Sequence, residues 1–500
     1  MTFAIKQIRV RGSKLLSTSE IENVIYPFLG PGRSLDDLEA ARLALETAFK
    51  NKGYQTVAVE LPRQNGTRGI IFMDVVENKI GRVTVKGSRY FLPSEIKRAA
   101  PSLAEGTVPD FNLVTKDIVA LNTWAERQVI PSIRPGVAPN TVDIDLEVKD
   151  KSPLHGSLEL NNRYSPDTTE LRLNGSISYA NLWQKGHSFG IASQIAPERI
   201  EDAMVISSYY ITRFPQLSNF SLMVNATMQD SNVSTLGGAA VAGSGTILGF
   251  RGMWNLPGQG IYFHSLSAGM DYKSFKENIN IGTDVIETPI DYYPISVAYG
   301  GGWAGKNFFT DLNASVNFHL RGMGSDPNTF DARRFKSDGG WMYLRADTSH
   351  TQELPLGFQL FGKFQTQLSN APLINSEQMA GGGTSTVRGY LESTSLGDNG
   401  WFMTVEARTP SFLKGTGESE GGTPDNELRL HAFFDAGRLY LNDSLPEQAD
   451  DFKLASFGFG STMTLWNHLE GGLDVAWPLV DQGTTVAHDP FLSFRVQSDF

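Results

Sequence analysis

Apolar and polar positions divide the chain into two regions with different rhythms. Residues 1–150 alternate between strand and helix periods. From about residue 152 onward only the strand period remains. The chain opens with Ile5, Ile8 and Val10 set among basic residues and stops at Gly12, the pattern of a strand. Ser17-Thr18-Ser19-Glu20 is a capping box, and Ile21, Val24, Ile25 and Phe28 follow it on one helical face. Ser34 and Asp37 open a second helix, with Leu38, Ala41, Leu45 and Phe49 on one stripe and Gly53 at its end. Strands are predicted at 55–61 and 69–76. The order then restarts: 80–87 echoes 5–12, Pro93 starts a helix, a longer helix is expected over 112–127, and strands follow at 130–134 and 141–148. Two βααββ units of about 75 residues are implied.

The second region reads as sixteen alternating segments separated by Gly, Pro, Asn, Asp and Ser. They lie near 157–163, 170–180, 186–195, 203–213, 219–229, 245–256, 261–275, 290–303, 308–321, 339–350, 356–369, 400–409, 427–441, 453–465, 468–478 and 491–500. The ninth sets Leu312, Ala314, Val316, Phe318 and Leu320 against Asp311, Asn313, Ser315, Asn317 and His319. Such alternation fits a soluble β-sandwich or a membrane barrel. Sixteen long strands exceed one sandwich, and even numbers suit up-and-down closure. Aromatic residues at the ends of apolar faces (Trp183, Tyr209, Phe214, Trp254, Trp303, Trp341, Trp401, Trp466, Trp477) suit interface girdles. The expected fold is α+β in the first region and an all-β, 16-stranded antiparallel transmembrane barrel in the second.

Composition sharpens this picture. There is no cysteine among the 500 residues, so disulfides, thiolate metal sites and Cys nucleophiles are excluded. No apolar run reaches the ~18 residues of a membrane-spanning helix, whereas barrel strands never need one. Residues 1–150 carry a net charge of +2 and the rest −13, as if the two regions faced different surroundings. The acidic balance speaks against a nucleic-acid partner.

The longest stretch between strands, 371–399, carries Gly381-Gly382-Gly383 and then Val387-Arg388-Gly389-Tyr390. Long loops in compact domains are functional or disordered. The thirteenth segment puts Arg429, His431, Phe433, Asp435 and Gly437 on one face and Leu428, Leu430, Ala432, Phe434 and Ala436 on the other. If the apolar face meets lipid, Asp435 points inward. A bidentate pair could then pin an inward-folded loop through Arg388. An exposed loop arginine remains the other reading.

Other constellations are weaker. Gly300-Gly301-Gly302-Trp303-Ala304-Gly305-Lys306 has the glycines and lysine of a phosphate loop, but Asn307 replaces the Ser/Thr and strands flank it, so a hairpin loop is expected. Eight scattered histidines lack metal-ligand spacing on one helix; His319 and His431 are expected to line the lumen. Glu418 and Glu420 read as a solvated loop, and no nucleophile elbow occurs. Neither an enzyme nor a cofactor is expected.

Val387-Arg388-Gly389-Tyr390 ahead of the twelfth strand, with Phe433-Phe434-Asp435-Ala436-Gly437 in the thirteenth, resembles the outer-membrane transporters of two-partner secretion. These TpsB proteins (haemolysin and filamentous-haemagglutinin secretion/activation transporters, ShlB/FhaC/HecB-like) are a branch of the BamA-like superfamily. The βααββ units are similar to POTRA domains, Asn181 to His187 to the family's hairpin after the second strand, and terminal Phe500 to a barrel-assembly signal.

The resemblance implies POTRA domains at 1–78 and 79–150, a barrel at 151–500, and an inward-folded loop six at about 371–399. It makes Arg388 the loop tip and Asp435 its partner on the inner wall, with Phe433 and Gly437 beside it. It implies a monomeric protein-translocating pore in a Gram-negative outer membrane, with POTRA domains in the periplasm. Its partners would be a secreted exoprotein (TpsA: adhesin, haemolysin or contact-dependent toxin), membrane lipid and lipopolysaccharide, and the barrel-assembly machinery during biogenesis. A BamA-like insertase is the alternative. Family members usually begin with a signal peptide and a plug helix, for which residues 1–3 leave no room; the expectation is either that these were removed or that this transporter lacks a plug. The Gly53-Tyr54 junction followed by Val57, Val59, Leu61 and Pro62 is similar to that of a first POTRA domain, whereas the second unit lacks a Gly-Tyr junction, with Glu126-Arg127-Gln128-Val129 instead.

Overall fold

The computed structural model describes residues 3–64, 68–124, 126–214, 217–234, 241–281, 284–413 and 426–500. Glu418 and Glu420 lie outside the described residues. The chain forms two compact units, Met1–Pro153 and Leu154–Phe500.

The first unit holds two small sheets, each with its own core. In the first, Gln7–Arg11 runs parallel to Ile70–Glu77, which pairs antiparallel with Val57–Glu60. Helices Thr18–Ile25 and Leu35–Asn51 supply Ile25, Leu38, Ala41, Leu45 and Phe49 to the core beneath. Both start as the sequence predicts. Ser17 and Glu20 form one capping box, Ser34 and Asp37 the other. Lys52 and Ser17 donate hydrogen bonds to the Glu20 carboxylate and hold it down at about 2. A short strand, Gly30–Arg33, pairs with Phe3–Ile5 and was not expected.

The second sheet repeats the plan, with Lys79–Lys86 parallel to Thr141–Asp150 and Arg127–Pro135 antiparallel at the edge. Its helix is shorter than the periodicity suggests. It spans Phe111–Leu121, and Arg127 belongs to the next strand. Two side chains end it. Asn122 bonds both ways with the Val129 backbone, and Arg127 donates to the Leu121 carbonyl at 3.2 and 2.7 Å. The Arg127 guanidinium lies 4.4 Å from the Trp124 ring centroid and 4.9 Å from that of Phe91. Burial pushes it down to about 10.

The second unit is a closed antiparallel barrel of sixteen strands among the described residues. The first strand is Leu154–Asn161 and the sixteenth Phe491–Asp499. Strand seven (Tyr262–Ile281) pairs with an eighth strand broken into Asp284–Tyr292 and Ile295–Ala304, so the segment expected from 290 starts earlier and is interrupted. Strands nine to eleven are Phe308–His319, Trp341–Glu353 and Gln359–Ser369; strands twelve to fifteen are Asn399–Arg408, Glu427–Tyr440, Asp451–Leu465 and Leu469–Pro478. Leu158, Ile177, Ile206, Phe250, Phe364, Phe434, Phe459 and Leu492 are exposed on the outer face. A ring of apolar side chains turned outward, with the polar alternates turned in, is the inverse of a soluble protein and suits lipid. Among the described residues no helix is long and apolar enough to cross a membrane.

Strands sixteen and one close the barrel with five register pairs, Arg495↔Asn161 to Asp499↔Ser157. The ladder extends through Phe500, whose N–H and carbonyl each bond to Gly156 at 3.0 Å. The Phe500 ring lies over Gly156, where any Cβ would collide with it.

Three expectations need correction. Tyr209 is not part of a girdle: the register sets it beside Gly190 and Asn225, on the face opposite to the exposed Met204 and Ile206, so it turns into the lumen. Trp341 is not part of a girdle: it is buried inside one barrel mouth, among Tyr343, Phe330 and His319. Gly300, Gly301 and Gly302 do not form a hairpin loop. They sit within strand eight, with the Phe263 ring filling the space beside Gly302.

Candidate functional site

Strands twelve and thirteen present a charged wall to the barrel interior. Register pairs Thr404 with Asp435 and Glu406 with Phe433, so these four side chains share the lumen face. Leu430 and Phe434 on the opposite face are exposed. Asp435 is 1% exposed although its strand belongs to the barrel wall. What covers it is the tip of the loop between strands eleven and twelve.

That loop folds into the lumen and brings Arg388 onto the wall. The Arg388 backbone N–H donates to Asp435 Oδ2 at 3.1 Å. Its Nε reaches the same oxygen at 2.8 Å and Nη2 reaches Oδ1 at 3.0 Å. This is the bidentate fork that guanidinium geometry favours. Nη1 donates to Glu406 Oε2 at 3.0 Å, so one guanidinium binds carboxylates on two adjacent strands. Its Cζ lies 3.3 Å from the centroid of the Phe433 ring. Glu406 also accepts from Arg408 at 2.7 Å.

The rest of the tip is fitted to this contact. Val387 is fully buried with Met379, Tyr390, Phe402, Leu439 and Leu454. Gly389 adopts φ 92°, and its missing Cβ faces Ala476 and Pro478, so neither the torsion nor the space admits a side chain easily. The Tyr390 hydroxyl lies 3.0 Å from the Ala455 carbonyl and 2.8 Å from that of Val480, joining the tip to strand fourteen and the loop after strand fifteen. Lys363 on strand eleven donates to the Ser385 carbonyl at 2.9 Å. Gly437 leaves the space that the Phe402 ring occupies.

The structure therefore brings Val387, Arg388, Gly389, Tyr390, Phe433, Asp435 and Gly437 together, while Phe500 lies apart at the closing seam. Sequence reasoning missed Glu406 as a partner of Arg388. It stood on the polar face of strand twelve, two residues from Thr404, the partner of Asp435, and that adjacency was the available signal. Of the two histidines expected in the lumen, His431 bonds Asp474 at 2.7 Å on the inner wall. His319 is buried in the mouth under the loop before strand ten. Among the described residues no cluster of three His, Asp or Glu side chains could hold a metal ion.

Comparison with known proteins places this arrangement. The model of the haemolysin secretion/activation protein family ShlB/FhaC/HecB matches residues 140–463, and the ShlB-type POTRA domain model matches residues 3–78. The outer membrane transporter CdiB of Dickeya dadantii is 21% identical over 502 residues, covering 95% of this chain and 83% of that protein. The heme/hemopexin transporter protein HuxB of Haemophilus influenzae is 19% identical, covering 96% and 84%. Among solved structures, CdiB from Escherichia coli superimposes with a TM-score of 0.63 at 18% identity, over all of this chain and 91% of that one. BamA from Haemophilus ducreyi lacking POTRA domains 1–3 gives 0.57 at 15% identity over the full length of both. BamA thus shares the fold, while the family model covers most of the barrel. The chain belongs to the ShlB/FhaC/HecB family of haemolysin secretion/activation proteins, the outer-membrane transporters of two-partner secretion.

Proposed function

We propose that residues 1–78 and 79–150 act as two POTRA domains that catch an unfolded exoprotein in the periplasm, and that the barrel of 151–500 passes it to the cell surface. The cargo is a large secreted adhesin, haemolysin or toxin delivered in an extended state. An extended chain can add to an open sheet edge through main-chain hydrogen bonds that demand little of its sequence. The edge strand Arg127–Pro135 offers such a row. Folding of the cargo outside gives the transfer its direction.

Within the barrel, Arg388 is the pin of loop six, and Asp435 with Glu406 is its socket. The observation that carries this reading is the burial of one guanidinium between carboxylates of two neighbouring strands on the inner wall. The loop in this state braces the inner wall. Phe500 acts in barrel assembly, by completing the ladder between the last strand and the first.

The test is secretion. The chain, preceded by a signal peptide, is co-expressed with the large exoprotein encoded beside it, with and without residues 1–150. Exoprotein in the medium only when those residues are present supports the transporter. Absence of export, with other outer-membrane barrels depleted when the protein is lost, supports an insertase instead.

A further inference from the structure

A polar lumen should not contain an apolar core, yet one barrel mouth does. Phe275 of strand seven, Ile290 and Tyr292 of strand eight, and Trp341 and Tyr343 of strand ten turn inward there. They pack against Phe330 from a short helix, Pro327–Arg333, in the loop before strand ten, and against Leu373 and Ile374 at the base of loop six. Tyr292 and Leu373 are completely buried. Beneath this cluster Glu377 of loop six accepts from Lys273 at 2.6 Å, Tyr292 at 2.7 Å and Tyr343 at 2.9 Å.

These contacts lie at the end of the barrel that carries the long loops, the extracellular end of a family whose POTRA domains are periplasmic. They are separate from the Arg388 tip, so loop six is held at two places.

One carboxylate ties the covering loops together. Asp398 is 0% exposed. Its Oδ1 accepts from the Leu373 N–H and from Gln378 Nε2, both at 2.9 Å. Its Oδ2 accepts from Arg334 Nη2 at 3.2 Å and from the Asn442 N–H at 2.7 Å. Leu373 and Gln378 belong to loop six, Arg334 to the loop before strand ten, and Asn442 to the loop after strand thirteen. Arg334 reaches across as well, donating to the Asn442 carbonyl at 2.6 Å. Three loops that are distant in sequence therefore converge on a single side chain.

We propose that the three loops form a lid closing the extracellular exit, and that Asp398 is the positioning residue that holds it shut. The apolar cluster gives the lid a dry underside, and the Asp398 tie fixes its register. A buried charge with four donors is stable only when all the donors are in place, so the tie is shut or broken rather than loosened by degrees. Cargo leaving the pore must displace the lid. The Arg388 pin lies further along the same two strands, at Glu406 and Asp435, and need not break at the same moment.

This inference rests on the reading of the chain as a pore, and ionic current tests it without any exoprotein. The full chain is reconstituted in planar lipid bilayers beside Asp398→Asn and Arg334→Gln. Asparagine keeps the size of the side chain, removes its charge and places an amide where one pair of donors converged. The expected result is a mean current at least fivefold above the parent, from barrels that keep their heat-modifiable mobility. A smaller rise in both variants, with the barrels intact, overturns the lid. If Asp398→Asn does not assemble, Arg334→Gln decides alone at the same threshold, because it removes one donor of four. Failure here leaves the export reading to its own secretion assay.

Discussion

Removing Arg388 and removing Asp435 should not have equal effects, and the structure says by how much. Arg388 and Asp435 side chains are 9% and 1% exposed, so the pair is desolvated. Breaking a buried pair by deleting one partner costs ~3–5 kcal/mol, because the survivor is left charged and unpaired. Arg388→Ala takes the fork away from Asp435, while Glu406 retains Arg408 at 2.7 Å. Asp435→Asn leaves Arg388 paired with Glu406 at 3.0 Å, so the surviving charge is not stranded. Its loss should be about 1–2 kcal/mol, the scale of a weakened charged hydrogen bond. At ~1.4 kcal/mol per tenfold change, Arg388→Ala shifts the docked-to-undocked ratio of loop six by roughly two to three orders of magnitude, and Asp435→Asn by about one.

The natural chain has no cysteine, so a single Val387→Cys reports docking without background. Val387 is fully buried in the docked loop, and undocking is expected to expose it. The rate of maleimide labelling in intact outer membranes should rise about a hundredfold or more with Arg388→Ala and about tenfold with Asp435→Asn, on the same Val387→Cys background. Secretion should fall in the same order at unchanged barrel levels. Equal labelling rates in the parent and Arg388→Ala would falsify the pin. Equal rates in the two variants would refute the part assigned to Glu406.

Other parts of the chain give further expected outcomes. Arg127→Met keeps much of the apolar stem but loses the bonds to the Leu121 carbonyl and the contacts with Phe91 and Trp124. It should destabilise residues 1–153 by about 2 kcal/mol, read as an earlier urea midpoint in the fluorescence of Trp124, the single tryptophan of that unit. Glu20 has its pKa depressed to about 2 from 4.5 by Lys52 and Ser17, so its stabilising contribution is complete above about 4.5 and is lost as pH falls through 2. Thermal melts of Glu20→Gln should therefore converge on the parent as the pH is lowered through that window, and a constant gap would refute the linkage. Phe500→Ala removes the ring over Gly156 at the seam, and the heat-modifiable barrel should fall in amount while its messenger does not.

The strands were legible because a barrel wall imposes strict alternation. Leu428, Leu430 and Phe434 against Arg429, His431 and Asp435 admit one assignment of faces. The starts of the first two helices were legible because Ser17-Glu20 and Ser34-Asp37 are local devices. The end of the helix at Leu121 was not, since Arg127 closes it from six residues away after the chain has turned. Trp341 misled for a related reason. An aromatic residue at a strand end suits a lipid interface and an interior core equally, and only the loop before strand ten, folding over it, decides between them. Glu406 and Asp398 act through partners brought together by loops, and spacing along the chain carries no trace of that.

The socket beneath Arg388 also has a bearing on how the cylinder is built. Asp435 and Glu406 meet the same guanidinium because strands twelve and thirteen are zipped with Thr404 opposite Asp435 and Glu406 opposite Phe433. A slip of one residue would turn one carboxylate out toward lipid, and a slip of two would change their present two-residue stagger to none or to four residues, ~13–14 Å along the strands, so the fork would no longer fit both. The loop can therefore seat only after both strands have paired in the right alignment. On the proposed reading Arg388 would register correct threading as well as brace the wall, because a mis-threaded wall leaves it without a seat.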